Sequence, residues 1–320
     1  MNIRLLCIFL LALSSFSAAQ RCTTSVLVNA FDASTRESLH GLRASDFAAS
    51  VGRRGELQVQ SVRPVFRNRV LVLLDLGGPN GNSSAQQTAR TAMLQNAIDY
   101  LNEAPQEMPV AFGAFAERAV FTSGFSIGPE SLSSSMQAIS QRAAGLAGNS
   151  DLTSALLQAL AMFGQHRPGD TILLISNGNG PARKTKWNAL AREFARRETR
   201  IQLLMNTPAT PVGDSASMFP AFTSVDLMDP SLVKLANRTG GVLMGFMNSE
   251  WYNVAASGYL LDIRESQRTK PQSWRLQVRN YGDEFGVKPV LFYPRQLPGC
   301  SASLLASAER KVNSKKYRAP

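Results

Sequence analysis

Hydrophobic and polar positions follow two rhythms along this chain, and the change between them divides it. Between residues 67 and 250, short unbroken apolar runs take turns with stretches of helical spacing. The runs suit strands buried on both faces, and the helical stretches suit covers laid over them. Val70 to Leu74 is the clearest run: it carries β-branched Val at alternate positions and stops at Asp75. The same reading predicts strands at Pro109–Phe115, Ala119–Thr122, Thr171–Ser176, Ile201–Met205 and Gly241–Gly245. Helices are predicted at Ala85–Asn102, Glu130–Arg142, Leu152–Phe163, Trp187–Arg197 and Pro230–Arg238. Strands separated by helices imply a mostly parallel sheet with helices on both faces. The short turn Ala116 to Arg118 implies one antiparallel pair at an edge, and the Pro- and Ser-rich stretch Asn206 to Asp226 a long surface connection.

Outside that block the helical period disappears. Ser25–Phe31, Gly41–Phe47 and Leu57–Val62 read as short strands before it, and Gly258–Arg264, Ser273–Asn280 and Gly286–Tyr293 as strands after it. Neither set can bury a core alone, so the two are expected to form one small β unit together. The organisation is then a leader over 1–19, an N-terminal β segment over 20–66, an α/β domain over 67–250, a C-terminal β segment over 251–298 and a basic tail over 299–320.

The two ends add a compartment. Arg4 precedes an apolar run from Leu5 to Leu13, followed by small residues at Ser17 and Ala19, which predicts signal-peptide cleavage before Gln20. No later run approaches the roughly 20 residues of a transmembrane helix. The expectation is an exported protein, periplasmic or extracellular, that does not span a membrane. Cys7 leaves with the leader, and Cys22 and Cys300 are expected to form a disulfide in an oxidising compartment. A lipid anchor on Cys22 is the rival, with Arg21 a poor fit to the small residue such processing reads.

Charge narrows the partners. The net charge of +11 becomes +10 once Arg4 is removed. An exported protein of that sign meets anionic envelope polymers or lipid headgroups rather than nucleic acid. The excess sits in the tail from Arg310 to Arg318 and along Lys184 to Arg200. There Trp187, Leu190, Ala191 and Phe194 form an apolar stripe, with Arg192, Arg196 and Arg197 largely off it.

Three loop ends should meet at the carboxyl edge of the sheet: D-L-G-G-P at Asp75 to Pro79, G-N-S-D-L at Gly148 to Leu152, and L-I-S-N-G at Leu174 to Gly178. Their order resembles the von Willebrand factor type A domain, whose metal-ion-dependent adhesion site uses D-x-S-x-S, a Thr in G-x-T-x-L and an Asp in S-D-G. With G-L-R-A-S-D-F at Gly41 to Phe47 ahead and Gly258-Tyr259 behind, the chain looks like the exported bacterial group called VWFA-related, common in Acidobacteria. The resemblance implies an α/β fold: a Rossmann-like type A domain, mostly parallel, with the flanking segments as a small β unit. It also implies a degenerate adhesion site. Asp75 matches the first Asp, but Gly77 and Pro79 stand where the two Ser belong, Ser150 replaces the Thr, and Asn177 replaces the second Asp. A hard cation such as Mg²⁺ needs near-octahedral oxygen ligands, and this set is depleted, so no metal and no cofactor are expected. Were any cation held, Asp75, Ser150 and Asp151 are the candidates, although Asp151 opens a helix and suits a cap.

Catalysis finds little to work with. Of the two histidines, His40 lies in the first β segment and His166 at the sheet end opposite Asp75, so no Ser-His-Asp array converges. The cysteines are too few for zinc, and the glycine loop lacks the phosphate-cradle pattern. The expected function is therefore a non-enzymatic binding or adhesion module. It would engage a protein through the loops at Asp75, Gly77, Pro79, Asn80, Ser150 and Asn177, helped by Asn82, Asn149 and Asn179. The alternatives are a structural envelope component that attracts anionic polymer, and a hydrolase dependent on His40 or His166.

Overall fold

The structure is a computed structural model. It describes residues 22–33, 37–52, 55–65, 68–77, 91, 94, 107–176, 185–205, 229–244, 255, 258–265, 271–279 and 288–297. The expected leader, the basic tail, Cys300, the connection 206–226 and most of the helix Ala85–Asn102 lie outside these residues; Thr91 and Leu94 of that helix are described, and both are helical.

The described strands form two sheets. The larger has seven strands in the order β12-β1-β10-β3-β2-β11-β13. They are β1 (Cys22–Asp32), β2 (Phe47–Val51), β3 (Gly55–Val65), β10 (Gly258–Glu265), β11 (Gln272–Val278), β12 (Pro289–Phe292) and β13 (Gln296–Leu297). Every pairing in it is antiparallel. β1 is shared, with Cys22 to Val28 on β10 and Asn29 to Asp32 on β12. Alternation along β11, with Trp274 and Leu276 buried and Arg275 and Gln277 exposed, gives the sheet one dry and one wet face. The dry face gathers Val26, Val28, Phe47, Ala49, Leu261, Ile263 and Leu276. Trp274 and Tyr293 meet edge to face at 5.0 Å, and the Tyr293 hydroxyl accepts from the Leu276 amide at 3.1 Å.

The second sheet has six strands, β6-β5-β4-β7-β8-β9: β4 (Val70–Asp75), β5 (Val110–Phe115), β6 (Ala119–Phe121), β7 (Thr171–Ser176), β8 (Arg200–Met205) and β9 (Leu243–Met244). β6 runs against β5, so this sheet is mixed. Four helices are described along their length: α1 (Pro129–Ala143), α2 (Leu152–Met162), α3 (Trp187–Arg196) and α4 (Pro230–Thr239). Leu132, Met136 and Ile139 of α1 join one core with Val70, Val72 and Leu74. Leu156 and Leu160 of α2, Leu190 and Phe194 of α3 and Leu235 of α4 join another with Leu71 and Leu73.

The expected fold class is corrected. The molecule is not a Rossmann-like, mostly parallel domain with a small β unit attached. Its largest sheet is antiparallel, and the other is mixed. The reason is length: β1 and β3 span 11 residues each against 6 in β4, so the flanking segments build more sheet than their weak patterning suggests. Gly41–Phe47 is not a strand either. Ala44 to Asp46 form a 3-10 turn in which Asp46 accepts the Arg43 amide at 2.7 Å, and the strand begins only at Phe47.

Among the contacts that tie the sheets together in the described residues, two stand out. The buried Arg200 guanidinium on β8 donates to Thr171 Oγ1 at 2.7 Å, to Asn29 Oδ1 on β1 and to the Ala255 carbonyl at 2.6 Å. Burial pulls its pKa down to about 9. Gly240 ends α4 in a left-handed conformation, φ 85°, and a Cβ there would lie 2.5 Å from the Pro294 nitrogen, so the chain after β12 passes only because that residue has no side chain.

Candidate functional site

Parallel strands β4 and β7 run in register, Leu74 opposite Ile175, so the residues that follow, Asp75 and Ser176, emerge side by side. Each ends an apolar run, V-L-V-L-L-D and T-I-L-L-I-S, where the strand leaves the core. The third contributor comes from the turn before α2. The Asp151 amide donates to the Ala116 carbonyl at 2.8 Å, and the Asp151 carboxylate caps α2 by accepting the Ser154 amide at 3.1 Å. This fixes Ser150 over the end of β4.

The three meet at one carboxylate. Asp75 Oδ1 accepts the Gly77 amide at 3.2 Å and the Ser150 hydroxyl in a short hydrogen bond. Asp75 Oδ2 accepts the Ser176 hydroxyl at 3.0 Å. The side chain is only 4% exposed. Desolvation pushes its pKa up to about 6, against the opposing pull of the bonds from Ser150, Ser176 and Gly77. No cation among the described residues is bonded to it. Gly77 is pressed against the same turn: a Cβ there would lie 2.6 Å from the Ser150 nitrogen and 2.9 Å from its Cα. Glycine at 77 is thus a condition of the contact between the two loops.

Of the residues marked by the sequence, Asp75, Gly77 and Ser150 come together here, and Asp151 stands beside them as a helix cap. Pro79, Asn80 and Asn177 lie outside the described residues. Asn149 is exposed on the rim. Two residues escaped the sequence reading. Ser176 was passed over for its neighbour Asn177, although the matched lengths of the two apolar runs carry the signal. Glu117 lies close enough that a Cβ at Gly148 would meet its carboxylate at 3.1 Å, and nothing in the sequence pairs them.

The donor set at this point is one buried carboxylate, two hydroxyls and an amide. Among the described residues no group of three or more His, Cys, Asp or Glu side chains could hold a metal ion. His166 lies before β7, at the far end of the sheet from Asp75. Its pKa is lowered, chiefly by desolvation and then by Arg197. No helix among the described residues is long and apolar enough to cross a membrane.

No protein-family model matches this chain, and no curated protein does. Its structural neighbours include a von Willebrand factor type A protein from Catenulispora acidiphila, at 10% identity over 90% of this chain and 77% of that one, with a TM-score of 0.43. They also include an aerotolerance-related membrane protein from Bacteroides fragilis, at 16% identity over 59% of this chain and 96% of that one, TM-score 0.40. A third is the conserved hypothetical protein BatB from Bacteroides thetaiotaomicron, at 16% identity, 57% and 92% coverage and a TM-score of 0.38. These are partial likenesses of fold.

Proposed function

We propose that this chain is an exported, non-enzymatic binding module of the type A kind, and that it recognises a protein ligand through the rim around Asp75, Ser150 and Ser176 without a divalent cation. The observation that carries this reading is the state of Asp75. Both of its oxygens are engaged by donors of the protein itself. The adhesion site this chain resembles places hydroxyls at the positions where Gly77 and Pro79 stand. The missing space at Gly77 supports the same reading, since no side chain there could add an oxygen. The residues present fit Mg²⁺ poorly, because hard-ion sites depend on carboxylate count and fixed oxygens. Recognition then rests on loop shape and on exposed hydrogen-bonding groups such as Asn149.

A photo-crosslinking residue at Asn149 tests this, with one at the exposed Gln165, near the far end of the sheet, as the control. In the native envelope the first should give a discrete, saturable protein adduct and the second none. Equal labelling from both positions overturns the rim as the recognition surface. Titration with Mg²⁺ and Mn²⁺ tests the metal separately: micromolar binding that Asp75→Ala abolishes would overturn the cation-free reading.

A further inference from the structure

The wet face of the seven-stranded sheet is not uniform. Over β1, β10 and β3 its polar side chains are spent on one another. Ser25 and Ser61 donate to Asp262 at 2.6 and 2.5 Å, Arg63 approaches Asp262 at 3.6 Å, and Thr23 donates to Gln60 at 3.1 Å. Over β2 and β11 the pattern reverses. Ser50, Arg275 and Gln277 form no intramolecular side-chain hydrogen bond among the described residues, and they line a groove of about 400 Å³ with Ala48, Glu56 and Arg279.

The register explains the groove. Arg275 faces Ser50 and Gln277 faces Ala48 across β2 and β11, while Ser50 faces Glu56 across β2 and β3. Small side chains on β2 therefore form a floor between long ones on its neighbours. Arg279 spans this floor to reach Glu56 at 3.7 Å, but both side chains are mostly exposed, at 60% and 78%. An ion pair so open is weak and easily exchanged for a ligand carboxylate. Two guanidinium groups against one carboxylate leave the groove net positive, and their planar forks match carboxylate oxygens.

We propose that this groove binds a carboxylate-bearing polysaccharide, at a site separate from the Asp75 rim and independent of how that rim is read. The groove is donor-rich, with Arg275, Arg279, Gln277 and Ser50 presented together, as a chain of carboxylates and hydroxyls requires. An acidic peptide fits less well. β2 is paired on both sides, so no strand edge is open for a peptide backbone, and no aromatic or large apolar side chain lines the groove to anchor one.

The test measures retention of the full chain on immobilised polygalacturonate, neutral dextran and polyglutamate at low and moderate salt. Polygalacturonate should retain the protein in a salt-sensitive manner, dextran should not, and polyglutamate should bind at least about tenfold more weakly. Arg275→Gln with Arg279→Gln should lower the polygalacturonate affinity by about tenfold. Arg167→Gln with Arg192→Gln removes the same charge from exposed positions elsewhere and should change it little. Glu56→Gln should raise it by about threefold by removing the competing carboxylate. Equal losses from the two double variants would reduce the effect to net charge and overturn the site. Equal binding to polyglutamate would assign the groove to acidic peptide, and absence of retention on polygalacturonate would overturn the proposal outright.

Discussion

Two buried aspartates stand at opposite ends of the six-stranded sheet, and their surroundings differ in kind. Asp170, just before β7, is 1% exposed and receives Arg69 in a bidentate pair, Nε at 2.9 Å and Nη2 at 2.6 Å, together with the Arg167 amide at 2.9 Å. Arg69 is itself fixed: it donates to the carbonyls of Phe163 and Gln165 and lies 5.3 Å from the ring centroids of both Phe125 and Phe163. Asp75 at the other end has only neutral donors. A charge met by an opposite charge is committed to holding the fold. A charge met by hydroxyls is left poised, and it is this end that the loops converge on.

The sharpest way to break the comparison is to remove the arginine. Arg69→Ala leaves Asp170 buried and uncompensated, and should cost about 4 kcal/mol of stability in denaturant unfolding. A loss near zero would mean that the two ends are alike.

The next effect runs through pH and concerns the other aspartate. Asp75 has a pKa of about 6 in the folded state against 3.8 unfolded, so in that window the native state holds a proton that the unfolded state has lost. Its contribution to stability is full below 3.8 and is lost as pH rises through about 6, by about 3 kcal/mol in all. Glu198, raised to about 7 by burial, adds a slope of the same sign. The measurement therefore compares Asp75→Asn with its parent in a Glu198→Gln background, and the slope between pH 4 and 6 should flatten.

Ser176→Ala should cost about 2 kcal/mol at neutral pH, as expected for a bond to a buried charge, and should raise the Asp75 titration midpoint followed by NMR. The smallest effect is a gain. Glu198 sits at φ 52° in the turn that follows α3, a conformation that costs a β-carbon about 1 kcal/mol, and Glu198→Gly should return about that much in thermal unfolding.

Legibility in the sequence followed the range of the forces involved. Val70 to Leu74 and Thr171 to Ser176 were readable as buried strands because an unbroken apolar run is a local signal. Asp151 was readable as a cap for the same reason. Ser176 was harder to see because strand register, not loop order, decides it: Leu74 opposite Ile175 sets Ser176 beside Asp75, while Asn177 lies outside the described residues. The balance of the two sheets failed for a related reason. Ser25 and Asp262 are 237 residues apart and share a hydrogen bond, and no periodicity within β1 or β10 announces that partnership. Gly41 to Phe47 misled because its alternating polar and apolar residues fit a strand as well as the turn that Asp46 closes.

The sharing of β1 between β10 and β12 has a consequence for the order in which this molecule can be built. Among the described residues, the ladder neighbours of β1 are β10 and β12, both made from Gly258 onward. A ribosome must therefore deliver most of the polypeptide before Cys22 to Val28 find their ladder partner, while only the end of the strand, through Ala30 to Asp32, has bonds to the nearby Glu37 to Leu39. Assembly dominated by such distant pairings is slow, and a chain stopped ahead of Gly258 would leave that segment unmatched.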